Sequence, residues 1–132
     1  MTDLVDPETV VNEFIARILR MDLDGACELV TPDVEYDNVP MSKVFGPDGI
    51  RTMVEAMVGI FDEIEFVIVR QLSVGDTVMN ERVDRFRAGD TWIDLPVAGV
   101  FVVNDEGLIT LWRDYFDQPT LMDKIAALLP SE

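Results

Sequence analysis

Apolar residues recur at helical spacing near the start of the chain, and residues that favour helix starts precede them. Asp6 or Thr9 can cap a first helix, and Pro7 suits its first turn. The pattern predicts a helix whose buried stripe consists of Val11, Phe14, Ile15, Ile18 and Leu19. Residues 21–30 predict a second, shorter helix with Asp22 as its cap.

Two more segments have helical patterning. Residues 46–61 predict a third helix, and its apolar stripe consists of Ile50, Met53, Val54, Met57 and Val58. Residues 119–130 predict a terminal helical segment. Between the second and third helices, residues 31–40 predict a turn, a short strand and a turn, and Pro40 would end that strand.

Four strand-like runs follow the third helix, at about 63–72, 76–87, 91–103 and 107–117. The segments between them, "SVGD", "RAGD" and "NDEG", carry turn residues. Helices grouped ahead of consecutive antiparallel strands predict an α+β fold. Because no repeat or linker divides the chain, we expect one domain over residues 1–132.

Three of the predicted strands differ in how their polar residues are placed. Residues 91–103 are almost continuously apolar, which predicts that both faces of that strand are covered. On the preceding strand, one face combines Arg82 and Asp84 with neighbouring residues Asn80 and Phe86. On the last strand, Asp114 shares a face with Trp112 and Phe116. An unpaired buried carboxylate is costly, so Asp114 needs a partner.

The charge balance is strongly one-sided. The chain has 26 acidic and 10 basic residues, a formal net charge of −16. A nucleic-acid-binding protein or one that binds an anionic membrane needs a basic face, and the basic residues here are scattered. We therefore expect neither nucleic acid nor a membrane as a partner.

Histidine is absent from the sequence. This excludes Ser-His-Asp and Cys-His mechanisms and any His-ligated metal, so acid–base chemistry would fall to carboxylates or tyrosine. The single cysteine, Cys27, excludes an intrachain disulfide and is interpreted as a buried helical thiol. The acidic N-terminus lacks a signal-like apolar run, and no stretch approaches the roughly 20 apolar residues of a membrane span. We expect a cytoplasmic protein.

Two carboxylates beside one guanidinium need not share a protonation state, because a dry pocket raises a carboxyl pKa and a cation lowers it. One carboxylate could then deprotonate water while the other protonates a leaving oxygen, without a metal or cofactor. A phenol and an amide at Tyr36 and Asn38 could hold that water. The alternative for Arg82 and Asp84 is an exposed charge pair. Asp114 could instead form a structural ion pair with Arg113 or Arg82, or lie on a strand end twisted into solvent. The Tyr36–Asn38 segment could be only strand and turn.

Three segments resemble the limonene-1,2-epoxide hydrolase family: "EYDNVP" (35–40), "ERVDRF" (81–86) and "GVFVVNDEGLITLWRDYFD" (99–117). The resemblance extends from about Pro7 to Leu121. It implies a cystatin-like fold, shared with nuclear transport factor 2, SnoaL-like proteins and ketosteroid isomerase. In that fold a curved, mainly antiparallel mixed sheet packs over three to four helices and encloses a deep apolar pocket.

The resemblance also implies catalytic roles for five residues. Asp114 matches the general base that activates water, and Tyr36 and Asn38 match the residues that hold this water. Asp84 matches the general acid, and Arg82 matches the residue that bridges the two carboxylates. The reaction implied is the one-step addition of water to a small apolar epoxide, giving a vicinal diol without a covalent ester or a cofactor.

The resemblance further implies a substrate pocket and a homodimer formed through the sheet. The expected pocket residues are Ile15, Ile18, Ile60, Ile64, Phe66, Phe86, Leu95, Val97 and Phe116, whereas Met53, Met57 and Trp92 are interpreted as core or interface. Two other functions stay open on the same fold. One is an isomerase or polyketide cyclase of the ketosteroid isomerase type, and the other is a non-catalytic module that binds a small ligand.

Overall fold

The computed structural model describes residues 6–39 and 41–128. Pro40 and the last residues of the predicted terminal helical segment, 129–130, therefore lie outside the described residues. In chain order the elements are α1 (Pro7–Leu19), α2 (Leu23–Cys27), β1 (Val30–Val39), β2 (Val44–Phe45), α3 (Pro47–Ile60), β3 (Glu63–Val74), β4 (Thr77–Ala88), β5 (Thr91–Val103), β6 (Ile109–Tyr115) and α4 (Gln118–Ala126).

The first two helices begin at the aspartates that the sequence indicates. The Asp6 carboxylate accepts a hydrogen bond from the backbone N–H of Thr9 at 3.2 Å, and Asp22 accepts one from Gly25 at 2.9 Å. Cys27 is the last residue of α2 and is half-buried, so its interpretation as a buried thiol is only partly right. Burial raises the pKa of this thiol.

The apolar stripe of α3 is shorter than predicted. Ile50 and Val54 are buried, and Met53 and Met57 are half-buried. Val58 is 41% exposed, so its place in the buried stripe is wrong. Residues 58–60 are all exposed, because the last turn of α3 lies beyond the core.

The six strands form one mixed sheet in the order β2-β1-β6-β5-β4-β3. β1 and β6 are parallel, and the other neighbouring pairs are antiparallel. The α+β prediction and the mixed, mainly antiparallel sheet are confirmed. The turn predicted at Thr31 and Pro32 is wrong, because β1 continues through both residues with an irregular register between Val30 and Glu35.

One face of the sheet packs on the helices and forms the core. The Trp112 ring stacks on Tyr36 at 4.2 Å and meets the Phe14 ring of α1 edge-on at 5.3 Å. On β5, Leu95 and Val97 are buried whereas Pro96 and Ala98 are exposed. The prediction that both faces of β5 are covered is therefore wrong for the single chain, because its helices cover only the inner face.

Candidate active site

Register across the sheet places polar side chains in one row on the inner face. Asn38 of β1 is the partner of Asp114 on β6, and Asp114 is the partner of Gly99 on β5. Gly99 is in turn the partner of Asn80 on β4, which pairs with Gln71 on β3. Five neighbouring strands therefore contribute to a single row, with a glycine at its centre.

Arg82 is buried beside this row, and all five of its N–H groups donate hydrogen bonds. Nε and Nη2 donate to the two carboxylate oxygens of Asp84, each at 2.9 Å. Nη1 and Nη2 donate to the two oxygens of Asp114 at 3.1 and 2.9 Å. The remaining Nη1 proton goes to Oδ1 of Asn80 at 3.1 Å. The guanidinium thus holds two acids in bidentate fashion, and its Cζ lies 5.0 Å from the ring centre of Phe66.

Asp114 receives a further hydrogen bond that sequence reasoning missed. The indole Nε1 of Trp112 donates to its Oδ1 at 2.9 Å. Trp112 was recognised only as an apolar neighbour of Asp114. The sequence did offer a signal, because Trp112 lies two residues before Asp114 on the same face of the strand. A buried indole N–H needs an acceptor, and the Asp114 carboxylate is within reach.

Gly99 gives the guanidinium its space, and sequence reasoning missed it as well. A Cβ atom at this position would collide with Nη1 of Arg82 and would also crowd Oδ1 of Asn80 and Oδ1 of Asp114. An isolated glycine inside an apolar strand indicates close approach by another group. Here the charged group occupies the place of the missing side chain.

The cluster contains one acid that holds its proton readily. Burial is the main cause that raises the pKa of Asp84 to about 6, and it outweighs the opposing hydrogen bonds and charge of Arg82; Asp114 adds a smaller rise. Burial alone would lower the pKa of Arg82, but its hydrogen bonds and ion pairs with both carboxylates raise it. Burial and the nearby Asp114 raise the pKa of Tyr36, so its phenol stays neutral. A guanidinium with an acid of this kind and a second carboxylate can perform acid–base chemistry near neutral pH.

A cavity of about 210 Å³ opens beside Asp84 and Asp114. Tyr36 and Asn38 also face it, so four of the five predicted catalytic residues meet at its wall, and Arg82 lies behind the two acids. Six of the predicted pocket residues line it: Ile60, Phe66, Phe86, Leu95, Val97 and Phe116.

The other three predicted pocket residues lie elsewhere. Ile15 and Ile18 are buried in the core, because α1 packs them against the sheet away from the cavity. Ile64 borders a separate surface groove, which Ile18 also reaches. Among the described residues, these three are absent from the cavity wall.

A further part of the cavity wall, mostly from α3 and α4, was not assigned from the sequence. Met53 and Met57 line the cavity instead of belonging only to core or interface, whereas Trp92 packs against Arg85 on the outer side, 4.3 Å from its Cζ. The further lining residues are Met41, Ala56, Phe61, Leu121, Met122 and Ile125. For all but Met41, the signal was the apolar patterning of the predicted helical segments 46–61 and 119–130, which also fits core packing.

Known proteins resemble this chain in sequence and in fold. The sequence model of the limonene-1,2-epoxide hydrolase catalytic domain matches residues 5–127. Epoxide hydrolase EphG of Mycobacterium tuberculosis is 33% identical over 126 residues, which cover 92% of this chain and 83% of that protein. The structure of an M. tuberculosis LEH-like epoxide hydrolase superposes with a TM-score of 0.77 at 31% identity, covering 92% of this chain and 90% of that chain.

More distant structures share the architecture alone. A putative SnoaL-like polyketide cyclase from Shewanella denitrificans has a TM-score of 0.80 at 14% identity, covering 92% of this chain and 97% of that chain. An NTF2-like protein from Cytophaga hutchinsonii has a TM-score of 0.72 at 18% identity, covering 92% and 99%. The fold is therefore NTF2-like. The match over residues 5–127 shows that the chain belongs to the limonene-1,2-epoxide hydrolase family and is an epoxide hydrolase.

Proposed function

We propose that this enzyme adds water to a small apolar epoxide in one step and releases a vicinal diol. The observation that carries the proposal is one buried guanidinium bridging two buried carboxylates at the wall of an apolar cavity. In this mechanism Asp114 is the general base, Asp84 is the general acid, and Arg82 fixes the two relative to each other. The chemistry uses no cofactor.

The proton movements balance within a single displacement. Asp114 takes a proton from water as the water oxygen attacks an epoxide carbon. The carbon–oxygen bond on that carbon breaks, and the epoxide oxygen takes the proton that Asp84 held. The net reaction is epoxide plus water to diol. The proton now on Asp114 must return to Asp84 before the next turnover.

The hydrogen bonds of Asp114 leave room for the attacking water. Oδ1 accepts from Arg82 and from Trp112, whereas Oδ2 accepts only from Arg82 among the described residues. A carboxylate oxygen has two lone pairs, so Oδ2 keeps one for water. Tyr36 and Asn38 face the same cavity and are suited to orient that water, with Asn38 the register partner of Asp114.

The cavity favours a small, apolar substrate. Among the described residues, 18 line it, and only Tyr36, Asn38, Asp84 and Asp114 of these have polar side chains; its volume of about 210 Å³ is modest. Drug-sized ligands occupy pockets of about 300–1,000 Å³. The four polar side chains lie close to one another, so the rest of the cavity wall would contact the hydrocarbon part of the substrate.

We propose in addition that the enzyme forms a homodimer through the outer face of the sheet. That face exposes apolar side chains on adjacent strands, among them Val67, Met79, Pro96 and Ala98. Exposed apolar patches on a sheet are typical of association surfaces. From the single cysteine we propose a cytoplasmic location.

Substitution of the base tests the mechanism. Asp114→Asn keeps the shape of the side chain but cannot accept a proton, so we expect diol formation to fall by at least about 10³-fold. Asp37→Asn is a matched control, because Asp37 is also a buried aspartate paired with an arginine, Arg113, but does not line the cavity. The control should keep near-normal turnover.

The readout is the diol formed from a panel of small epoxides in water enriched in ¹⁸O. Incorporation of one solvent oxygen per diol, already in a single turnover, is expected because no ester to the protein forms. Near-full activity in Asp114→Asn with an intact fold, or ¹⁸O appearing in a protein carboxylate instead of the diol in the first turnover, would contradict the one-step mechanism.

A further inference from the structure

Asn80 contacts the catalytic cluster, yet the proposed mechanism gives it no task. It is 4% exposed and lies across Gly99 from Asp114 in the row that spans the sheet. Its Oδ1 accepts the fifth hydrogen bond of Arg82 at 3.1 Å. Its Nδ2 donates to Oε1 of Gln71 at 3.0 Å.

The hydrogen bonds continue to the surface and fix the orientation of each amide. Arg82 can only donate, so Asn80 must turn its oxygen toward Arg82 and its nitrogen away. Gln71 accepts from that nitrogen and donates its own Nε2 to Oδ1 of Asn12 at 3.0 Å. Asn12 is exposed on α1, so the amide chain connects the buried guanidinium on β4 with β3 and α1.

The charge of the cluster depends on the fifth acceptor being an amide. With both acids ionised, Arg82, Asp84 and Asp114 sum to one negative charge, and one proton makes the cluster neutral. Among residues 6–39 and 41–128, the other titratable group facing it is the neutral phenol of Tyr36 on β1. In the described part of the chain, β3 and α1 contribute the amides Gln71 and Asn12, and β5 contributes the residues Leu95, Val97 and Gly99, none of which is charged.

A carboxylate in place of Asn80 could make the same contact with Arg82, but it would change the net charge of the cluster. An aspartate could still accept from Arg82, and Gln71 and Asn12 could reverse their amides to donate toward it. A third negative charge on the same guanidinium would make it harder to remove the last proton from the cluster.

We propose that Asn80 is a positioning residue that satisfies the fifth donor of Arg82 without adding charge, so that the two aspartates share a single proton. The proposal rests on the mechanism above, in which one acid must be protonated while the other is ionised. It assigns a role in the reaction to a residue that does not reach the cavity.

The test separates the charge of Asn80 from its hydrogen bond. In Asn80→Asp the acceptor remains and a charge is added, so we expect the highest carboxyl titration midpoint of the buried aspartates to rise by about 1–2 pH units. The alkaline limb of the pH profile of kcat/KM should move in the same direction. Asn80→Thr keeps a neutral acceptor and should leave both midpoints near those of the wild type.

Asn80→Leu removes the acceptor and leaves one N–H of Arg82 unsatisfied. We expect a fall in kcat of about 10-fold or more, because Arg82 is then held less firmly, and restoration of the rate in Asn80→Thr. A residue that only supported the fold would lower stability in these variants but would not move the titration in Asn80→Asp.

The measurement is ¹³C NMR of aspartate carboxyl groups as a function of pH, together with the pH–rate profile. Gln71→Glu adds a charge one step further from Arg82 on a half-buried side chain and should give a smaller upward shift. An unchanged titration in Asn80→Asp, or in Gln71→Glu if the first variant does not fold, overturns the proposal. Because NMR needs no substrate, this outcome is distinct from a failure of the wild type to hydrolyse epoxides.

Discussion

Raising the pH from 4 to 7 should cost the folded protein stability through Asp84. The usual pKa of an aspartate is 3.8, and burial raises that of Asp84 to about 6. Between these values the unfolded chain has lost the proton and the folded chain still holds it. The free energy of unfolding therefore decreases as pH rises through this window and becomes level above the folded pKa.

The size of the effect follows from the difference between the two pKa values. Each pKa unit corresponds to about 1.4 kcal/mol, so the full difference is worth about 3 kcal/mol. The direction in which the free energy of unfolding changes with pH is the informative result. An aspartate whose arginine partner dominated would have a lowered pKa and would gain its stability mostly below pH 4, with little change between pH 4 and pH 7, whereas here burial and the second carboxylate outweigh Arg82.

Urea unfolding, followed by tryptophan fluorescence at several pH values, measures this free energy in the wild type and in Asp84→Asn. The other 25 acidic residues titrate in both proteins, so the difference between the two curves isolates Asp84. We expect the wild type to lose about 2 kcal/mol of this full difference relative to the variant between pH 4 and pH 7. A flat difference, or one in which the wild type gains stability with pH, would refute the dominance of burial over the ion pair.

Two further predictions concern space around the cluster and the outer face of the sheet. Gly99→Ala should reduce turnover strongly and destabilise the fold by about 1–3 kcal/mol, because its methyl group would displace Arg82. The control is Gly59→Ala, because nothing lies within 4 Å of a Cβ atom at that position. If both variants lowered turnover equally, the argument would be wrong. Ala98→Glu places a charge on the exposed face of β5 and should convert a dimer to a monomer in sedimentation velocity; a wild type that sediments as a monomer would remove the dimer proposal.

Local pattern was enough for the longer elements, but not for their ends and not for the two-residue strand β2, which was missed. Asp6 and Asp22 mark helix starts in the sequence because capping is a contact within three residues. Thr31 and Pro32 looked like a turn, but they lie in a strand between Val30 and Glu35, which both pair with the distant β6. Val58 fits the helical period of α3, yet its burial depends on where the core stops.

The charged residues of the candidate site could be predicted from their chemistry, whereas the residues whose role depends on the space around them could not. A buried aspartate needs a cation, so Arg82, Asp84 and Asp114 could be grouped before their distances were known. Gly99 contributes an absence of atoms: a glycine in an apolar strand indicates that some group approaches closely, but only the structure shows that this group is Arg82. Ile15 and Ile18 are apolar and inward-facing like true lining residues, and only helix placement separates core from cavity.

The hydrogen bonds that distinguish the two acids do not come from Arg82, which donates two to each of them at nearly equal distances. They come from Trp112, whose indole donates a third hydrogen bond to Asp114, while among the described residues Asp84 accepts from Arg82 alone. Asp114 is therefore held by two different side chains and Asp84 by one, so a tryptophan, and not the shared arginine, makes the surroundings of the two carboxylates differ.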